Sequence, residues 1–297
     1  MVCKSKSCQK KLTKNTKLRG GLSEDEMLLL NELLAYKHPT QALHLASTSR
    51  AHRGDDQTWW ALSKYKDPNN LRTYLMYACK EGNLERAKFL IEHGAEVNAS
   101  DKKGYTSLMY ASLDGNLNVA RLLLDNKVPA KVNAVKTDTG STSLMLACNM
   151  NHLDIARLLL DRGANVDAAR TYDGATSLFI ASLYGYLEIA RLLLDRGANV
   201  DAELKDSETP LMLASRKGHL DVARLLLDRG ANVNAARTNN GMTSLMLASE
   251  NGDLELARLL LDRGANVNAV DIYGNNSLKK AKNNKIKQLL KEYGATK

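Results

Sequence analysis

A six-residue phrase, Ala-Arg-Leu-Leu-Leu-Asp, is written five times in this chain, at 120–125, 156–161, 190–195, 223–228 and 257–262. Successive copies lie 36, 34, 33 and 34 residues apart, and recurrence at such a period requires stacked supersecondary units instead of a closed globule. Four of the copies run on into Arg-Gly-Ala-Asn-Val, as at Arg162, Gly163, Ala164, Asn165 and Val166. A unit this small cannot bury its apolar face alone, so its neighbours supply the core. The 297 residues are therefore divided by the repeat map and not by length alone.

Phasing on the alanine that precedes each phrase gives Ala78, Ala111, Ala147, Ala181, Ala214, Ala248 and Ala281, seven units in all. In the third unit Leu144, Leu146 and Ala147 put a narrow apolar face on a first helix. Leu153, Ile155, Ala156, Leu158, Leu159 and Leu160 make the second helix mostly apolar, as a helix held between neighbours must be. Arg157 and Asp161, one turn apart, keep its outer stripe soluble. Gly163 supplies the left-handed residue that ends the helix, Val166 begins an extended segment, and Gly174 permits the turn that follows. Two units depart from the rule. The interval of 36 arises where Asp-Arg-Gly-Ala becomes Asp-Asn-Lys-Val-Pro-Ala at 125–130, which predicts a bulged, mobile loop. The last unit replaces apolar positions with Lys279, Lys280, Lys282 and Lys285, the polar face a terminal repeat needs.

Thr209-Pro210-Leu211-Met212, the variants Thr106-Ser107-Leu108-Met109 and Thr176-Ser177-Leu178-Phe179, and the phrase Gly218-His219-Leu220 complete a pattern that resembles the ankyrin repeat over residues 67–297. The resemblance implies an all-α solenoid of helix-turn-helix units with β-hairpin loops. It also implies a target protein held on the concave face, by hairpin tips and the exposed side of each first helix. By phase the strip includes the charged positions Lys102, Lys103, Asp206 and Glu208. The residues expected to contact a partner are Tyr105, Leu113, Met150, Tyr172, Leu183, Tyr184, Arg216, Lys217 and Met242, with Tyr172, Leu183 and Tyr184 as the densest cluster.

Ahead of the repeats, residues 1–20 carry seven basic side chains and no acid. So charged and apolar-poor a segment cannot offset the entropy of ordering and is read as a disordered tail. From Leu22 the character changes. Ser23 and Glu26 form a capping box, Met27, Leu30, Leu33 and Leu34 follow at helical spacing, and Pro39 stops the helix. Two further short helices are expected, one over Leu43, Leu45 and Ala46 and one over Trp59, Trp60 and Leu62. These three helices bury too little surface to stand alone. Residues 21–66 resemble the F-box, through Leu22, Leu30, Leu34, Pro39, Leu43 and the pair Trp59 and Trp60. Ser23 stands where many F-boxes carry proline. That resemblance implies docking onto a Skp1-type adaptor of a cullin ubiquitin ligase. The alternative is a helical cap over the open end of the solenoid.

The net charge of +9 sits at the two ends, with residues 21–278 slightly acidic, which argues against a nucleic-acid groove. His152 and His219 recur at one repeat position, and no histidine pairs with a cysteine or carboxylate at metal spacing. Cys79 and Cys148 take a place that serine holds in other units and are read as small packing residues. Cys3 and Cys8 are read as unpaired tail thiols. In-phase polar groups spread along an axis do not converge as catalysis requires. The expectation is a monomeric, non-enzymatic protein of the cytoplasm or nucleus, with no metal, cofactor, small-molecule substrate or membrane span.

Overall fold

The computed structural model describes residues 63–296. Among these, seven helix pairs succeed one another. They are α1 (Tyr74–Glu81) with α2 (Leu84–Glu92), α3 (Ser107–Leu113) with α4 (Leu117–Leu124), and α5 (Ser143–Asn149) with α6 (Leu153–Asp161). Next come α7 (Ser177–Tyr184) with α8 (Leu187–Asp195), and α9 (Pro210–Lys217) with α10 (Leu220–Asp228). The last are α11 (Ser244–Asn251) with α12 (Leu254–Asp262), and α13 (Ser277–Lys280) with α14 (Asn284–Glu292). First helices pack on the first helices of the neighbouring units, and second helices on second helices. The expected hairpins are reduced to loops, four of which are closed among the described residues by a single antiparallel bridge, as between Ser100 and Thr106 or Val135 and Thr142. The tail and the helices expected over 21–62, including Leu22, Leu30, Leu34, Pro39, Leu43, Trp59 and Trp60, lie outside the described residues.

The threonine that opens each repeat phrase is a helix cap. Thr106 Oγ1 accepts the Met109 amide at 3.3 Å, and Thr142, Thr176, Thr209 and Thr243 do the same in their units. One otherwise orphaned amide is satisfied in each case. Pro210 then fits as the first helical residue, where no amide hydrogen is needed. Gly163 has φ 82° just past the end of α6, the left-handed conformation its sequence context requires.

Stacking rests on small side chains. Ala78, Ala111, Ala147, Ala181, Ala214 and Ala248 are wholly buried, and so is the alanine column of the second helices, Ala87 through Ala257. Cys79 and Cys148 are buried beside this first column, as are Ser182, Ser215 and Ser249. Burial pushes the Cys148 thiol up to about 12 against the opposing effect of its Ser177 neighbour, and raises Cys79 in the same way. Neither thiol is a reactive group at neutral pH.

Two polar ladders run across the units. Asp161 is paired not with Arg157 but with Arg196 of the next unit at 2.9 Å, and Arg162–Asp125, Arg229–Asp195 and Arg263–Asp228 are the same rung at 2.6, 2.8 and 2.8 Å. All are substantially exposed, so each contributes under about 1 kcal/mol. The second ladder lies at the loops. Asn133 Oδ1 accepts the Asn165 amide at 2.8 Å while its Nδ2 donates to the Gly163 carbonyl at 3.0 Å. Asn98 and Asn234 repeat the arrangement. At the 36-residue interval Asn126 takes the place of the ladder arginine, and the loop bulges until Ala130 rejoins the pattern by donating to the Leu123 carbonyl at 2.9 Å.

The last unit is truncated. α13 spans four residues, and Ala281 is extended at φ −60° and ψ 119°. Lys279 and Lys282 are exposed there and nothing stacks beyond them among the described residues. Lys280 instead turns back to pair with the buried Asp271 at 3.0 Å.

Asn133→Ala is expected to lower unfolding free energy by about 1 kcal/mol, because it removes two hydrogen bonds that tie its loop to the next. Arg196→Ala is expected to cost no more than about 0.5 kcal/mol. Urea denaturation of the two variants checks the order. In the same samples, a thiol reagent is expected to leave Cys79 and Cys148 unlabelled until the units unfold.

Candidate binding surface

The face along which a partner would lie is formed where the loops meet the first helices. Met150, just past the end of α5, is 47% exposed, Tyr172 at a loop tip 56%, and Tyr184 at the end of α7 47%. Arg216 and Lys217 are exposed at the end of α9, and Tyr105, Leu113 and Leu183 are half-buried. Met242 differs from expectation. It is 7% exposed and packs with Met212, Met246 and Leu247, because in the fourth to sixth units the position before the capping threonine faces inward, as Ala175 and Glu208 also do.

The expected cluster of Tyr172, Leu183 and Tyr184 is spread out in space. Tyr172 stands in the loop five residues before α7 and Tyr184 is the last residue of that helix, so the two belong to opposite ends of it. Leu183 belongs to a small apolar cluster with Ala175, Phe179 and Leu213. Each of the two tyrosines nevertheless packs on a neighbouring side chain. The Arg170 guanidinium lies 5.0 Å from the Tyr172 ring centroid and is itself fixed by Asp173 at 2.6 Å. Burial raises the Asp173 carboxyl, but the Ala175 amide and Arg170 outweigh it and hold the group below its ordinary value. Tyr184 stacks on Tyr186 with centroids 5.5 Å apart.

Side-chain networks flank this stretch on both sides. Toward the C-terminus the buried Glu208 receives Arg216 at 3.0 Å and Arg237 at 3.8 Å, and Arg237 also pairs with Asp206. Arg216 is thus engaged within the chain, whereas Lys217 has no ion pair among the described residues. Toward the N-terminus Asp101 accepts the amides of Lys103 and Tyr105 at 2.8 and 2.9 Å and the Tyr110 hydroxyl at 2.7 Å. Asp67 plays the same part with Asn69, Asn70 and Tyr77. Tyr105 stacks on Tyr110 at 5.2 Å, with Arg72 over Tyr110 and Lys136 over Tyr105. The loop residues in these networks vary from unit to unit, so no repeat phrase announces them. The recurrence of Asp before Tyr in the first two units alone, Asp67 with Tyr77 and Asp101 with Tyr110, is the available signal.

The two in-phase histidines tie units together. His152 Nε2 hydrogen-bonds the Leu113 carbonyl at 3.2 Å and His219 Nε2 the Leu183 carbonyl at 3.1 Å. Each ring closes over a glycine of the preceding unit, and a Cβ at Gly185 would lie 2.6 Å from His219 Nδ1. Among the described residues no group of three or more His, Cys, Asp or Glu side chains could hold a metal ion, and no helix is long and apolar enough to cross a membrane.

A family model described as ankyrin repeats in three copies matches residues 29–136, 127–203 and 198–271. The first match begins within the segment expected to be a separate module. The solved human ASB11 ankyrin repeat domain is 29% identical, covers 76% of this chain and all of its own, and superposes with a TM-score of 0.67. The ankyrin repeat domain of Bcl-3, a member of the IkappaB protein family, is 30% identical over 74% of this chain and 98% of its own, with a TM-score of 0.65. No curated protein sequence matches the chain.

Burial separates packing residues from surface residues along the strip. Met242→Ala is expected to destabilise by about 2–3 kcal/mol as a core truncation, and Tyr172→Ser to stay within about 0.5 kcal/mol. Paired urea titrations check the difference.

Proposed function

The chain belongs to the ankyrin-repeat family, and from that premise we propose that it is a non-enzymatic binding protein that holds a target protein along its concave strip. The observation that carries this reading is the set Met150, Tyr172 and Tyr184: large side chains left exposed at a loop tip and at first-helix ends of the third and fourth units, two of them packed on neighbours. Tyrosines whose conformations are fixed before binding lose little entropy on contact, which suits them to anchor a partner.

For residues 21–66 two readings are supported by different observations. The F-box-like residues Leu22, Leu30, Leu34, Pro39, Leu43, Trp59 and Trp60 support a substrate-recruiting subunit. In that role a Skp1-type adaptor docks at the N-terminal segment and the ligase acts on the target held by the repeats, through effective concentration. A scaffold or inhibitor whose N-terminal segment caps the first unit is favoured by packing at the segment's end. Ser63 donates to the His93 carbonyl at 2.8 Å, Lys64 to that of Gly94 at 2.6 Å, and Tyr65 stacks on Tyr74 at 4.7 Å. The start of the family match at residue 29 favours the same reading.

Replacing Met150, Tyr172 and Tyr184 together by serine is expected to abolish target capture in quantitative pulldowns while leaving the circular dichroism spectrum native. Undiminished capture by the folded variant contradicts the strip. Co-purification of Skp1 with the full chain, lost on combining Leu43→Asp, Trp59→Ala and Trp60→Ala, is the outcome the adaptor role requires. Failure of Skp1 to bind, with a lowered melting temperature on deleting residues 21–62, is the outcome the cap requires.

A further inference from the structure

Charge is distributed unevenly along the loops of the concave face. The loops of the first three units, 66–72, 100–105 and 135–141, hold five basic side chains against three acidic. Those of the next three, 169–175, 203–208 and 236–241, hold three basic against four acidic. Burial widens this difference. Asp67 and Asp101 are buried and spend their oxygens on their own loops and tyrosines. Lys102 and Lys103 are exposed and without an ion pair among the described residues.

Two further cations are fixed in place. Arg72, Tyr110, Tyr105 and Lys136 form a column of cation, ring, ring and cation drawn from three successive units, with spacings of 5.1, 5.2 and 4.9 Å. Arg72 also reaches Asp101 at 3.4 Å and Lys136 reaches Asp138 at 2.8 Å. Stacking on aromatic faces holds both charges at defined positions. The first three loops thus present a cationic, tyrosine-bearing edge whose carboxylates mostly face inward.

We propose that the loop edge of the first three units, centred on Lys102, Lys103, Arg72 and Lys136, binds an acidic segment of the target protein. The proposal rests on the reading of the concave face as a protein-binding strip and adds the chemistry of one end of it. A run of Asp and Glu side chains lies along Lys102 and Lys103, and the half-buried Tyr105 of the same loop offers a ring edge and a hydroxyl. The neighbouring apolar stretch at Met150, Tyr172 and Tyr184 receives the adjoining, uncharged part of the same target. A polarity of this kind fixes the direction in which a target lies on the solenoid and speeds its encounter.

The test uses the full chain and a fluorescein-labelled peptide of alternating Asp, Gly, Glu and Ala, read by anisotropy across a salt series. Wild type is expected to bind, more weakly as salt rises. The double reversal Lys102→Glu with Lys103→Glu is expected to weaken binding by about tenfold or more. The control reversal Lys282→Glu with Lys285→Glu, at the still more basic C-terminal unit, is expected to leave it unchanged. Equal loss in both variants makes the effect one of bulk charge and overturns the proposal, as does no loss in the first. Tighter binding of a single-stranded oligo-dT of equal length, abolished by the same Lys102 and Lys103 reversal, overturns it in favour of a nucleic-acid surface. If the reversal does nothing while the Met150, Tyr172 and Tyr184 variant still loses its target, the acidic-segment proposal falls alone. If neither change matters, the concave strip falls with it.

Discussion

Everything in the described repeats depends on how closely one first helix approaches the next, and alanine at a single register sets that distance. With Ala111, Ala147, Ala181 and Ala214 completely buried between neighbours, there is no room for a larger side chain without forcing the stack apart. Once that spacing is fixed, the loops on one side and the helix ends on the other fall into register. A contact possible at one junction is then possible at all of them. The Arg–Asp rungs and the Asn rungs are consequences of this regularity, individually weak and useful through repetition.

The same regularity explains what could be read from the sequence. The period, the small residues and the leucine-rich second helices are local to each unit and state the fold directly. The Arg–Asp pairing was not legible, because Asp161 finds Arg196 about one repeat away, whereas a reading confined to one helix offers Arg157. The surface was legible by phase only to within one residue. Tyr172 and Tyr184 are exposed as their phase suggests, yet Met242 and Leu183 sit one position from the exposed track and turn inward to the apolar clusters. Arg216 has the right exposure, but the buried Glu208 engages it. Such distinctions depend on how each loop folds back under its capping threonine, which composition does not reveal.

The face formed by the loops and first helices is consequently divided into three chemically different stretches along one continuous stack. Cations stacked on tyrosines occupy the first, exposed methionine and tyrosine the second, and a carboxylate–guanidinium network the third. Because most of these side chains already pack on neighbours, a partner lying there as proposed would meet a surface that needs little reorganisation. Under that proposal, specificity would come from the order of the stretches along the axis, since the units share one backbone pattern.

Hydrogen–deuterium exchange of the full chain, free and bound to its target, tests the central claim most directly. Protection gained on the loops and first helices of the third and fourth units, α5 and α7 with the loop at Tyr172, is the predicted result. Protection confined to the second helices α6 and α8, with those loops unchanged, would place the target on the opposite side of the solenoid and contradict the account.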